Sequence, residues 1–438
     1  MVIARLLSNL TSGESALGQA ETVVILLGVT LIVALTSRRL HLPYTLLLVL
    51  VGLVIGILPI FIEIHLEPNL VMFLFLPALL FEGAWNVEID QLIADWLPVF
   101  LLSVPGLVLS LVLVAAAMHW GVGFPWLLAL LLGAMVSPTD PVAVISLLRQ
   151  LGMADRLRTI VEGESLFNDG VGAAAFQLVL LLLLASLGQT AATSDTSAWM
   201  TTLNALWLMF GGLALGLVIG WIFARFLRRV DERLIEITVT FCVAYGVYIL
   251  GIVIQTSGLL AVVGAGLVMG SYGRRIGMSE HTREGADTVW EFIAYLANSF
   301  LFLLVGIEIG EASFLHSLPS ILWALGGVIV GRVLMIYTLI PLHDLVARKT
   351  ARGKQKTQRF LPLPRPIPSS WRPLLVLSGL RGALSIALVL SLPTALAQRN
   401  LLIDVVFGVV LVTLLGQGIG LRVLLPRWPR EEVSSVNG

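Results

Sequence analysis

The chain has 438 residues, 58% of them hydrophobic and only 12% charged, with no net charge. A soluble domain carries about twice that share of charge, so too little polar surface exists to cover a water-soluble globule, and lipid must be the solvent for much of the chain. Zero net charge excludes strong steering toward nucleic acid, the single cysteine, Cys242, excludes an intramolecular disulfide, and the first twenty residues are too weakly apolar for a cleaved signal peptide.

Apolar runs long enough to cross a hydrocarbon layer of about 30 Å as helices recur from end to end. They are predicted near 21–37, 43–62, 69–85, 96–118, 124–148, 159–187, 199–227, 233–254, 257–272, 285–310, 316–341, 371–391 and 401–425. An odd number of spans, thirteen, puts the termini on opposite sides. With the first inter-helix loop taken as inside, 23 of the 27 lysines and arginines fall on the inside and only Arg5 and Arg399 outside. This positive-inside pattern places the N-terminus outside and the C-terminus in the cytoplasm. The loop at 83–95 is the weak point, acidic and without a basic residue. The tail at 426–438 reads as short, with no soluble regulatory domain.

Charged residues at membrane depth are costly, so each is a functional candidate. Glu82 ends the third span, in LPALLFEGA. The fifth span carries Ser137-Pro-Thr-Asp-Pro141 at its middle. Two prolines deprive the carbonyls of Ala134 and Ser137 of their helical partners, and a helix broken at midplane survives only where it is buried or lines a cavity. Freed carbonyls beside Asp140 suit a dehydrated cation, and such breaks mark substrate sites in transporters. In the sixth span, EGESLFNDG, Ser165 and Asp169 share one helix face at i, i+4, while Glu164 and Asn168 share a stripe about 100° away. The first stripe is a plausible oxygen cage for a hard cation. The second is better suited to an intramembrane arginine. Glu291, Asn298, Glu308 and Arg332 read as packing or interface residues. The basic, proline-rich segment 342–370 reads as a solvated linker, with contact to anionic lipid as the alternative.

The twelfth span contains LSGLRGALS, with Arg381 between the helix weakeners Gly379 and Gly382. It stands seven spans after the fifth and enters from the opposite side, as in an inverted repeat. Two crossing broken helices would present opposed dipole ends, which Asp140 and Arg381 could offset.

At these motifs the chain resembles the cation:proton antiporters of the NhaP and Na+/H+-exchanger type. The likeness rests on SPTDPVAVISLLRQLGMADRLRTIVEGESLFNDGVG, LPALLFEGA, NSFLFLLVGIEIG and GLRGALSIALVLSLP, and spans about residues 20–425. It implies an all-α membrane fold with two crossing discontinuous helices. A scaffold of spans one to three (20–90) and seven to ten (198–312), through which such proteins form homodimers, would hold a mobile core of spans four to six (95–190) and eleven to thirteen (314–425). Asp169 would bind the proton or cation, with Asp140, Ser165 and the Thr139 backbone as further Na+ ligands. Glu82 would reach the ion through water, Glu164 would pair with Arg381, and Asn168 would brace the broken fifth helix. Asn168 beside Asp169 implies electroneutral one-for-one exchange of Na+ or Li+ for H+ across the plasma membrane, with no cofactor. Exchange of K+ by the same fold is the alternative.

Rival classes fare worse. Gly163-Glu-Ser165 faintly resembles a serine nucleophile, but all six histidines fall in predicted loops or helix ends, so a base at midplane is missing. A primary pump needs a nucleotide site, and no GxxxxGK[ST] occurs. A cation channel wants repeated filter carbonyls and continuous access, whereas this sequence offers one carboxylate site at a broken helix.

Overall fold

A computed structural model describes residues 13–40, 44–57, 71–141, 153–188, 206–230, 232–311, 314–353 and 365–424, with Val144, Ile145, Leu148, Leu203 and Asn204 besides. Among the described residues every regular element is helical. In chain order the main ones are α1 (Gly13–Leu40), α2 (Tyr44–Ile57), α3 (Leu76–Asn86), α4 (Trp96–Val122), α5 (Trp126–Val136), α6 (Asp155–Ser186), α7 (Trp207–Leu227), α8 (Arg233–Val253), α9 (Gly258–Val268), α10 (Glu280–Glu311), α11 (Phe314–Gly353), α12 (Trp371–Leu377), α13 (Ala383–Leu390) and α14 (Arg399–Leu424), with short helical turns at Val71–Phe75, Ile89–Ala94, Met269–Gly273 and Arg274–Gly277 besides. A helical segment stands at each predicted span. Seven of the described helices, α4, α6, α7, α8, α10, α11 and α14, are long and apolar enough to cross a membrane, and α1, α2, α3 and α5 carry shorter apolar stretches. Arg5, the tail at 426–438 and the centre of the basic segment, 354–364, lie outside the described residues.

The helix limits follow local chemistry. Gly123, at φ 82°, turns the chain out of α4 and returns its N–H to the His119 carbonyl at 3.1 Å, a left-handed cap that glycine adopts without steric cost. Ser257 caps α9 by accepting from the Leu260 N–H at 3.3 Å. α11 differs from expectation. It was predicted to end near 341, but it runs unbroken through Pro341 to Gly353, so the start of the predicted 342–370 linker is helix. The stretch LHDLVARKTARG is built largely of good helix formers, and one face of it, His343, Asp344 and Ala347, is buried.

The other end of that segment is pinned rather than free. Arg156 at the start of α6 grips Asp95 at 2.7–3.0 Å and donates to the carbonyls of Arg365 (2.7 Å) and Pro366 (3.0 Å). Asp344 accepts from the Ile367 N–H at 2.9 Å and from Arg372 at 3.2 Å.

Packing sorts the helices into neighbours. α2 runs along α10, α9 packs on α3, α7 and α8, and α3 also meets α10. Separately, α4 packs on α5 and α11, α6 on α5, and α14 on α11 and α13. At the α2–α10 crossing, a Cβ on Gly52 would lie 2.2 Å from the Leu303 carbonyl oxygen and one on Gly306 2.3 Å from that of Val49. Only glycine permits that approach, which is how helices associate where lipid removes the hydrophobic drive. Outward faces are apolar, with Leu31, Ile32, Trp120 and Val218 all more than half exposed, as lipid contact requires.

Both predicted breaks are present. α5 closes with the Ser137 N–H on the Gly133 carbonyl at 3.0 Å, and Ser137 to Asp140 leave the helix. α12 closes at Leu377, and helix resumes only at Ala383. The two breaks cross: the Asp140 N–H donates to the Leu380 carbonyl at 2.8 Å.

Candidate cation and proton site

A cavity of about 510 Å³ lies where α2, α3 and α10 face the break after α5, the middle of α6 and the start of α13. Glu82, Thr139, Asp140, Ser165 and Asp169, all five residues predicted to handle the ion, line it. Asn168, Glu164 and Arg381, predicted to support the site, do not line it and are at most 2% exposed. Two carboxylates, Asp140 and Asp169, therefore meet hydroxyl and backbone oxygens in a partly enclosed space, a donor set that suits a hard cation.

The break is held open by hydrogen bonds from α6. The Thr139 N–H donates to the Asn168 side-chain oxygen at 3.2 Å, and the Asn168 amide donates to Thr139 Oγ1 at 2.7 Å. Thr139 Oγ1 also lies 3.0 Å from Ser165 Oγ. Asn168 thus satisfies a backbone N–H that a continuous helix would have paired internally and also holds the hydroxyl of the same residue. With Ser165 as donor to Thr139, its lone pairs stay available to the cavity.

The arginines are arranged differently from expectation. The family resemblance implied a pair between Glu164 and Arg381, but Glu164 is held by Arg332 in a two-pronged contact, Nη1 to Oε1 and Nη2 to Oε2, the latter at 3.1 Å. Arg332 also donates to the Leu375 carbonyl at 2.7 and 3.0 Å and to Ser378 Oγ at 3.1 Å, so one guanidinium ties α6, α11 and α12 together. Arg381 instead donates to the carbonyl oxygens of Ser137 and Pro138, the latter at 3.1 Å. It offsets the buried C-terminal end of α5, whose last carbonyls lack helical partners. One further expectation changes with it. The Ser137 carbonyl carries a guanidinium, whose charge would repel a cation there. On the other side of the crossing, a Cβ on Gly382 would lie 2.2 Å from Asp140 Oδ2, so the carboxylate occupies the space that glycine leaves at the start of α13.

Comparison with known proteins agrees with this geometry. The family model described as "Sodium/hydrogen exchanger, transmembrane" matches residues 24–427. The chain belongs to the sodium/hydrogen exchanger family. Among its relatives, the low-affinity Na+/H+ antiporter NhaS1 of Synechocystis is 39% identical over 92% of this chain and 74% of its own length. The antiporter ApNhaP of Aphanothece halophytica is 37% identical over 95% and 76%. The fold matches that of the sodium proton antiporter MjNhaP1 of Methanocaldococcus jannaschii at pH 8, with a TM-score of 0.69 over 93% of this chain and 98% of that one, at 19% identity. This exchanger-family chain is therefore a multi-pass membrane transporter and not an enzyme.

Four residues of this family member were underread in the sequence. Arg332, left as a packing residue, is 3% exposed and holds Glu164. Its position within an apolar span was the available signal, because an arginine at that depth needs an acid. Glu291 and Asn298, also left as packing residues, line the cavity from α10, as does Glu162 from α6. Asn298 and Glu291 are seven apart, two turns of one helix face, a spacing that marks a shared face but not what it faces.

Proposed function

We infer that this chain exchanges Na+, and Li+ in its place, for H+ one for one across the plasma membrane by alternating access. The observation that carries this reading is the convergence of Asp140, Asp169, Ser165, Thr139 and Glu82, from three separated stretches of chain, on one cavity. Asp169 holds either a proton or a cation. The site crosses the membrane when one of them neutralises it, because carrying an empty carboxylate through apolar surroundings costs several kcal/mol. Asp140, Ser165 and the Thr139 backbone complete the cation's oxygen shell, and Glu82 receives it through water. Asn168, occupied in bracing Thr139, adds no charge to the cycle, which favours electroneutral stoichiometry.

Packing supports a division of labour. The helices clustered on α4, α5, α6, α11, α13 and α14 form the mobile core, and those on α2, α3, α7, α8, α9 and α10 the scaffold and homodimer surface. With thirteen spans and the basic loops inside, the cavity rim at Glu82, Glu162 and Glu291 faces the cytoplasm. Reconstituted protein should alkalinise the vesicle lumen when Na+ or Li+ is added outside, because each cation that enters expels a proton. With the potential clamped, the flux should reverse at the same ratio of gradients at every voltage. A reversal point that moves with voltage would overturn one-for-one exchange, and a response to K+ alone would turn the assignment to K+/H+ exchange by the same fold. Large unitary currents would indicate a channel.

A further inference from the structure

We propose that the Ser385 hydroxyl is an additional oxygen ligand of the transported cation and favours small, dehydrated ions over K+. This rests on the exchange reading above and extends its ligand set to α13. Ser385 lines the same cavity as Asp140, Asp169 and Ser165. It is 1% exposed, and among the described residues its Oγ has no hydrogen-bond partner.

That is unusual for a helical serine, which ordinarily satisfies its hydroxyl on a carbonyl one turn back. Ser186 does so on Leu183 at 2.7 Å, Ser378 on Leu375 at 2.9 Å and Ser391 on Leu388 at 2.7 Å. Ser385 is the third residue of α13, and four residues back is Arg381, inside the break, where the helical acceptor is missing. Its oxygen is left without a partner at a residue that lines the cavity beside the crossing. The Ser110 and Ser137 hydroxyls are also unpartnered but line no part of this cavity. A buried hydroxyl without a partner is costly to keep, and a ligand that visits the cavity accounts for it. The oxygen has almost no water-accessible surface, yet a bare Na+ or Li+ is smaller than a water molecule and can reach it. K+ is larger and gains less from an oxygen so enclosed.

The test is cation-dependent proton flux in proteoliposomes of wild type, Ser385→Ala, Ser385→Thr, Ser385→Cys and the control Ser391→Ala. Losing one neutral oxygen ligand should raise the half-saturating Na+ and Li+ concentrations by about three- to tenfold in Ser385→Ala. Ser385→Thr should restore them, and any K+ response should shift less. Ser385→Cys keeps the volume but offers sulfur, a poor ligand for hard cations, and should raise half-saturation by a similar factor, which carries the test where Ser385→Ala fails to insert. Half-saturation unchanged from wild type in the inserted variants would overturn the proposal. So would a loss confined to maximal rate that Ser385→Thr does not restore. Wild-type vesicles without cation-dependent proton flux would instead remove the exchange reading itself.

Discussion

At the residue scale, the contacts divide into those that meet the ion and those that hold the site in place. Glu164 and Arg332 belong to the second kind, both nearly inaccessible and paired through two parallel contacts. Removing one partner of a buried pair typically costs about 3–5 kcal/mol, because the other charge is stranded. Arg332→Ala should therefore sharply lower melting temperature and yield, while a double replacement by apolar residues of similar volume recovers part of the loss. Arg332→Lys should rescue poorly, since lysine lacks the planar fork that Glu164, Leu375 and Ser378 share. A double-mutant cycle read as melting shifts checks this, and simply additive effects would mean that the pair is not coupled. Much here was legible in sequence: the i, i+4 spacing put Ser165 and Asp169 on one face, and Asn168 does brace Thr139. The partner of Glu164 was not legible. Two intramembrane arginines on different spans were available, and which guanidinium comes nearer depends on helix rotation that no spacing within α6 encodes.

At the element scale, the crossing of the two breaks is the feature that makes a site out of helices. The double proline in Ser137 to Pro141 and the glycines flanking Arg381 gave both breaks away, because each removes helical stability where the membrane would otherwise enforce it. The contact between them was not readable, since Asp140 and Leu380 are hundreds of residues apart and meet through one backbone hydrogen bond. The reach of α11 was also missed. Proline and charge after residue 340 looked like an exit from the membrane, yet the helix continues beyond it on the strength of a buried face. Gly382→Ala tests the crossing. Its methyl would displace the Asp140 carboxylate, an overpacking that typically costs roughly 1–3 kcal/mol. The variant should insert but lose most cation-dependent proton flux, whereas Ala at Gly28, where nothing lies within 4 Å, should transport normally.

At the scale of the whole molecule, exchange by alternating access requires one group of helices to move against the other. α6 and α9 meet across that boundary at Gly170, where a Cβ would lie 3.5 Å from the Leu260 Cβ. That spacing is within the range of a disulfide, about 3.5–4.5 Å. In a Cys242→Ser background, the pair Gly170→Cys and Leu260→Cys should cross-link on oxidation, stop exchange and recover on reduction. Undiminished flux in the fully cross-linked protein would show that α6 and α9 do not move apart during the cycle. The central claim is that one carboxylate, Asp169, holds either the proton or the cation and never both. It is tested most directly by adding Na+ to purified protein in weakly buffered detergent and following proton release. Cation binding to a protonated ligand must expel its proton, so the wild type should release one proton for each sodium ion bound, and Asp169→Asn, still folded, should release none. Sodium binding without proton release in the wild type, or undiminished release from Asp169→Asn, would contradict the account.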